Sequence, residues 1–167
     1  DLVQAMLRDS DNGTAELLIK ELGLRGLREG STAAGARAAL DVLRAKGLPT
    51  TGVRIVDGSG LDATNRATCA FFLALLAAIP ADGVVADGLP VAARTGTLER
   101  RFVDTPVAGR LRAKTGSLDG VAALVGYAAP LAGPTIAFAY LVEGIDTDAA
   151  GRRLYEELAA NLVSGGG

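Results

Sequence analysis

The chain has 167 residues, of which 49% are hydrophobic and 22% charged, with a net charge of −2; that is the balance of one folded domain, not of a disordered or fibrous segment. Its arginines are scattered and no apolar run reaches the length of a membrane span, so neither a nucleic-acid surface nor a transmembrane segment is indicated. Histidine is absent, which excludes a Ser-His-Asp or Cys-His apparatus and any histidine-bearing zinc site inside the chain.

Any base must therefore be a carboxylate or a lysine. The chain opens on Asp1 and shows no signal-like segment, so it reads as a fragment or a processed product. Residues 2–7 read as the end of a helix that begins upstream, and Ser10-Asp11-Asn12 as a polar turn before a second helix over 15–22, with Gly23 as its terminator. A further helix is expected over 33–46, after Ser31-Thr32 and before Gly47 and Pro49. Residues 53–56 read as a short strand and Asp57-Gly58-Ser59-Gly60 as a tight turn, its spacing being wrong for a calcium-binding loop. Residues 69–79 read as a buried helix in which the single cysteine, Cys69, is a packed thiol.

Residues 82–91 are expected to be loop, and 94–102 a turn followed by a short helical piece. In 107–127, Arg110, Arg112 and Lys114 alternate with Leu111, Ala113 and Thr115, the period of a strand with one polar face, on which Lys114 stands. A turn at 116–120 and the apolar run 121–125 complete an antiparallel hairpin. A third strand is expected over 135–142. The last helix, over 149–163, should carry Leu154, Leu158 and Leu162 on one stripe, and 164–167 a flexible tail.

Two tripeptides belong together: Ser10-Asp11-Asn12 between helices and Lys114-Thr115-Gly116 on a strand. They are two of the three elements of the serine acyl-transferases that act on penicillin-like and D-Ala-D-Ala substrates, the third being Ser-x-x-Lys. With the blocks SDNGTAELL, IVDGSGLDATNRAT, GTLERRF, AGRLRAKTGSLDGVAALVGY and IAFAYLVEG, the chain resembles the C-terminal half of the D-alanyl-D-alanine carboxypeptidase/endopeptidases of the penicillin-binding protein 4 type. The resemblance covers nearly the whole chain. It implies an α/β fold of the α+β type, β-lactamase/transpeptidase-like, with an antiparallel sheet flanked by helices and incomplete here; residues 1–163 would be the C-terminal part of one catalytic domain. It also implies an extracytoplasmic setting, peptidoglycan stem peptides as substrate, acylation by β-lactams, and no metal or organic cofactor.

The departure from the family pattern is that no serine here is followed three residues on by lysine. The nucleophile is expected upstream, in a missing half of the catalytic domain, and the chain alone is expected to be inactive. Acyl transfer without histidine needs a lysine base whose pKa is lowered by burial or neighbouring cations. Under the resemblance, Lys114 is that neighbouring cation, Ser10 relays a proton to the leaving D-alanine, and Asn12 holds a peptide carbonyl or orients the base lysine. Thr115 meets the terminal carboxylate, Gly116 keeps the strand open, and the Ser117 N–H is the oxyanion donor. Arg94-Thr95-Gly96, a near copy of the strand tripeptide, reads as structural. Rival readings are a β-lactamase or esterase on the same scaffold, and a non-catalytic module that binds peptidoglycan or a partner.

Overall fold

Strands β1 (Leu111–Leu118), β2 (Val121–Ala128) and β3 (Ile136–Glu143) form an antiparallel sheet in the order β1-β2-β3, with Lys114 opposite Val125 and Leu124 opposite Tyr140. The computed structural model that shows this describes residues 1–80 and 82–165. The chain divides into two compact units: one holds residues 1–10 and 76 onward, the other residues 11–75. The mixed helix-and-sheet architecture is the expected one, with helices α1 (Leu2–Asp9), α2 (Asn12–Leu27), α3 (Thr32–Ala45), α4 (Cys69–Ala78), α5 (Val84–Gly88) and α6 (Asp148–Ser164).

In the sheet-bearing unit, one face of the sheet is covered by α6, whose Tyr155, Ala159 and Val163 are buried with Leu111, Ala113, Leu124 and Phe138. Gly151 joins this face, and Leu154 is 48% exposed. The stripe expected on Leu154, Leu158 and Leu162 is thus displaced by one position, because the small residues Gly151 and Ala159 let α6 approach the sheet and the larger leucines fall to its flanks. The hairpin turn is also tighter than expected. Asp119-Gly120 alone connects β1 to β2, so Gly116 belongs to the strand and not to the turn.

Residues 84–88, expected as loop, form α5. Five residues hold a helix poorly in isolation, but α5 is pinned against α1: a side-chain carbon added at Gly88 would lie 2.8 Å from Gln4 Cα. Helix α1 carries its own cap, Asp1 accepting from the Val3 N–H at 2.8 Å. The tail expected from 164 is shorter, since Ser164 ends α6 and Gly165 caps it in the left-handed region; 166 and 167 lie outside the described residues.

The other unit is a pair of packed helices with a polar loop. Gly23 does not end α2, which runs on to Leu27. A side-chain carbon there would lie 2.6 Å from Gly35 N, and one at Gly35 would lie 1.9 Å from Ile19 O; the glycines exist for backbone contact between α2 and α3, not for termination. The strand expected at 53–56 reduces to one bridge, Arg54 with Arg66. Side chains organise this loop instead: Asp57 accepts from the N–H groups of Gly60 and Asp62, both at 2.7 Å, and Glu16 from those of Gly58 and Ser59 at 2.8 and 2.9 Å. Residue 57 therefore does make the expected turn.

Helix α4 runs from this unit into the first and is not the buried helix expected. Phe71 and Leu76 are buried, Leu73 is 40% exposed, and Cys69 is exposed in the first turn. An apolar composition all round marks the helix as buried only if something covers every face.

Candidate active site

Ser10 ends α1 in the left-handed conformation, φ 56° and ψ 46°, with its N–H donating to Met6 O. A residue other than glycine held there costs on the order of 1 kcal/mol, and such strain persists where the surroundings over-determine it. The position turns the Ser10 hydroxyl toward β1. Lys114 stands on the sheet face opposite α6, and its ammonium donates to Ser10 Oγ at 2.8 Å and to Thr115 O at 2.7 Å. Two groups 104 residues apart in sequence are thereby in direct contact.

Burial lowers the Lys114 pKa below the ordinary lysine value, since desolvation disfavours the charged form. Among the described residues no carboxylate pairs with it. Because the ammonium donates to Ser10 Oγ, the serine's own O–H is left to donate elsewhere.

Thr115 points to the other side of β1 and its Oγ1 lies 3.0 Å from Thr97 Oγ1. Thr97 was not singled out from the sequence. It sits in a single 3-10 turn, Gly96–Leu98, and reaches this place because Gly96 (φ 59°) passes so close to α1 that an added side-chain carbon would lie 2.3 Å from Arg8 O. The sequence signal was only its place in the GTLERRF block. Of the near-copy tripeptide, expected to be structural, Thr95 holds the backbone: its Oγ1 accepts from the Val91 N–H at 3.0 Å.

The edge of β1 is covered by residues 90–92 only in part, through Ala92 N–H to Leu111 O and Ala113 N–H to Pro90 O, both at 2.9 Å. Alternation along an antiparallel strand aims the backbone groups of Thr115 and Ser117 the same way. Beyond Ala113 no strand lies on that edge among the described residues. Ser117 is exposed there. At Gly116 an added carbon would meet Ala123 Cβ at 3.2 Å, so the glycine also relieves contact with β2. Ser10, Lys114, Thr115 and Ser117 share the sheet-bearing unit; Asn12 is the first residue of α2, exposed, in the other unit.

A lysine-bearing strand with an open edge, beside a serine on a helix end, defines a protein of the penicillin-binding, transpeptidase-like class, and solved structures agree. Penicillin-binding protein 4 of Haemophilus influenzae, in complex with a β-lactam, superposes with a TM-score of 0.84 at 28% identity, over 95% of this chain and 41% of that one. The chain belongs to the D-Ala-D-Ala carboxypeptidase 3 (S13) family, whose model matches residues 1–162. Carboxypeptidase DacB of Mycolicibacterium smegmatis is 36% identical over 98% of this chain and 37% of its own length. The D-alanyl-D-alanine carboxypeptidase of Actinomadura is 33% identical over 76% of this chain and 25% of its own. The chain thus spans well under half the length of the relatives it matches.

Proposed function

We propose that residues 1–163 form the C-terminal part of the catalytic domain of a serine D-Ala-D-Ala carboxypeptidase/endopeptidase, which acts on peptidoglycan stem peptides through an acyl-serine and is acylated by β-lactams. The nucleophile belongs to a Ser-x-x-Lys segment outside residues 1–167, and the reaction takes place outside the cytoplasm. The observation that carries this reading is the Lys114 to Ser10 hydrogen bond of 2.8 Å beside an open strand edge.

The chemistry follows from the donors. The nucleophilic hydroxyl gives its proton to the lysine of its own segment as its oxygen bonds to the substrate carbonyl carbon. Lys114, desolvated and cationic, keeps that neighbouring lysine from being protonated too firmly to serve as base. Ser10, its oxygen held by Lys114, hands its proton to the leaving nitrogen as the C–N bond breaks and takes in its place the proton held by the lysine of the nucleophile's segment. The Ser117 N–H receives the developing oxyanion, a contribution of about 3 kcal/mol for one such donor. Lys114 and Thr115, steadied by Thr97, take the substrate's terminal carboxylate. Water then hydrolyses the ester.

The test uses the protein with its Ser-x-x-Lys segment present. Lys114→Ala is expected to abolish acylation by a fluorescent penicillin with little change in melting temperature. Normal labelling would remove Lys114 from the mechanism, and rapid release of the acyl group by the wild type would favour a β-lactamase instead.

A further inference from the structure

Before Lys114 on β1, Arg112 lines one pocket of about 480 Å³ together with Arg94, Arg110, Tyr127 and Thr135. That is the size of a small-ligand site. Arg112 shares the sheet face of Lys114 by strand alternation. It is only loosely engaged, donating to Ala86 O at 3.4 Å and standing 3.8 Å from Asp87 Oδ1. Among the described residues the guanidiniums of Arg94 and Arg110 have no hydrogen-bond or ion-pair partner. Arg94 is also seated: its guanidinium lies across Gly109 (φ 73°), where an added side-chain carbon would be 2.6 Å from Nη2. Three cations with one distant carboxylate, in a chain of net charge −2, concentrate positive potential at one place.

The order along β1 gives the pocket its meaning, on the strength of the function proposed above. Ser117 marks the reacting carbonyl and Lys114 with Thr115 the carboxylate of the leaving residue, so Arg112 lies beyond that carboxylate, about 7 Å from Lys114 and about 17 Å from Ser117 at the rise of a strand. A leaving D-alanine ends at its carboxylate and reaches no further. A leaving group that is itself a stem peptide continues in this direction and brings more carboxylates.

We infer that the Arg94–Arg110–Arg112 pocket is a subsite for the carboxylates of an acidic leaving strand, so that these arginines set the preference of the carboxypeptidase/endopeptidase proposed above for cross-linked over uncross-linked stem peptides. When a cross-link is cleaved, the amide C–N bond between the D-alanyl carbonyl and the side-chain amine of the leaving strand breaks, the amine takes the proton relayed by Ser10, and water completes the hydrolysis. Arginine suits the task because its planar fork pairs with a carboxylate in two parallel hydrogen bonds.

The experiment compares wild type with Arg94→Gln/Arg110→Gln, each in the protein that includes its Ser-x-x-Lys segment. The double variant is expected to lose about tenfold to a hundredfold in kcat/KM on a cross-linked muropeptide dimer, while D-alanine release from a pentapeptide and penicillin acylation stay at the wild-type rate. A dimer with its leaving-strand carboxylates amidated should be insensitive to the substitutions, and Arg94→Lys should retain part of the activity. Equal losses on dimer and pentapeptide, or none on either, would overturn the subsite. Calorimetry with a free acidic stem peptide keeps the pocket separate from the enzyme reading: wild type should bind it and the double variant should not, and equal binding or none by wild type overturns the subsite. A wild type that neither takes up penicillin nor cleaves either substrate sinks the enzyme reading on its own.

Discussion

Lys114 is half-buried, and the function proposed above asks it to be charged as well. Its stability cost has a definite sign with pH. A lysine whose pKa is lowered by burial in the fold binds its proton less tightly than in the unfolded chain, so between the lowered value and the ordinary one near 10.4 the unfolded state holds more protons and stability rises with pH. At neutral pH the charged side chain is a penalty. Lys114→Met removes that penalty together with two hydrogen bonds, the latter independent of pH. Relative to Lys114→Met, the wild type is therefore expected to gain stability as pH rises from 7 toward 10, seen as converging or crossing denaturant midpoints. A constant difference across that range would mean the ammonium is solvated. The meeting of Lys114 and Ser10 could be anticipated from sequence because each lies in a tripeptide that the resemblance links to the other. Thr97 could not, because its approach to Thr115 depends on Gly96 passing under α1, a long-range contact with no local signature.

At the scale of elements, glycine carries the clearest lesson. Apolar periodicity and capping residues made α3 and the hairpin legible: Ser31 caps α3 by accepting from the Ala34 N–H, and period-two alternation marks β1. Gly23 was legible only as a stop signal, although its neighbour in space, Gly35, makes it a contact point. Likewise α5 lacks the length to announce itself and exists through packing on α1. Gly35→Ala should separate the two meanings. Alanine improves intrinsic helix propensity by about 1 kcal/mol, but the new carbon would sit 1.9 Å from a backbone oxygen of Ile19, which cannot step aside as a side-chain tip would. Overpacking of this kind costs about 1–3 kcal/mol, so a lower denaturation midpoint is expected. Gly30→Ala, where nothing lies within 4 Å, should leave it nearly unchanged. A stabilised Gly35→Ala would show that α2 and α3 are not in backbone contact.

On the function proposed above, the chain supplies part of a reaction centre. Among the described residues the sheet has three strands and two edges, and an unpaired edge is a template for another segment. At one edge stand a lysine, the serine it hydrogen-bonds and an outward N–H, with no serine placed beside a lysine of its own in Ser-x-x-Lys spacing. Elsewhere the wholly apolar α4 leaves Leu73 exposed. These features converge on one expectation about the 167-residue chain: purified alone it should form no covalent adduct with a fluorescent penicillin. Once the sequence is extended to include the Ser-x-x-Lys segment, an adduct should form at that segment's serine, identified by mass spectrometry of the labelled peptide. An adduct on Ser10 or Ser117 of the 167-residue chain would overturn this division of labour, because it would make one of the residues read here as relay or oxyanion donor the nucleophile itself.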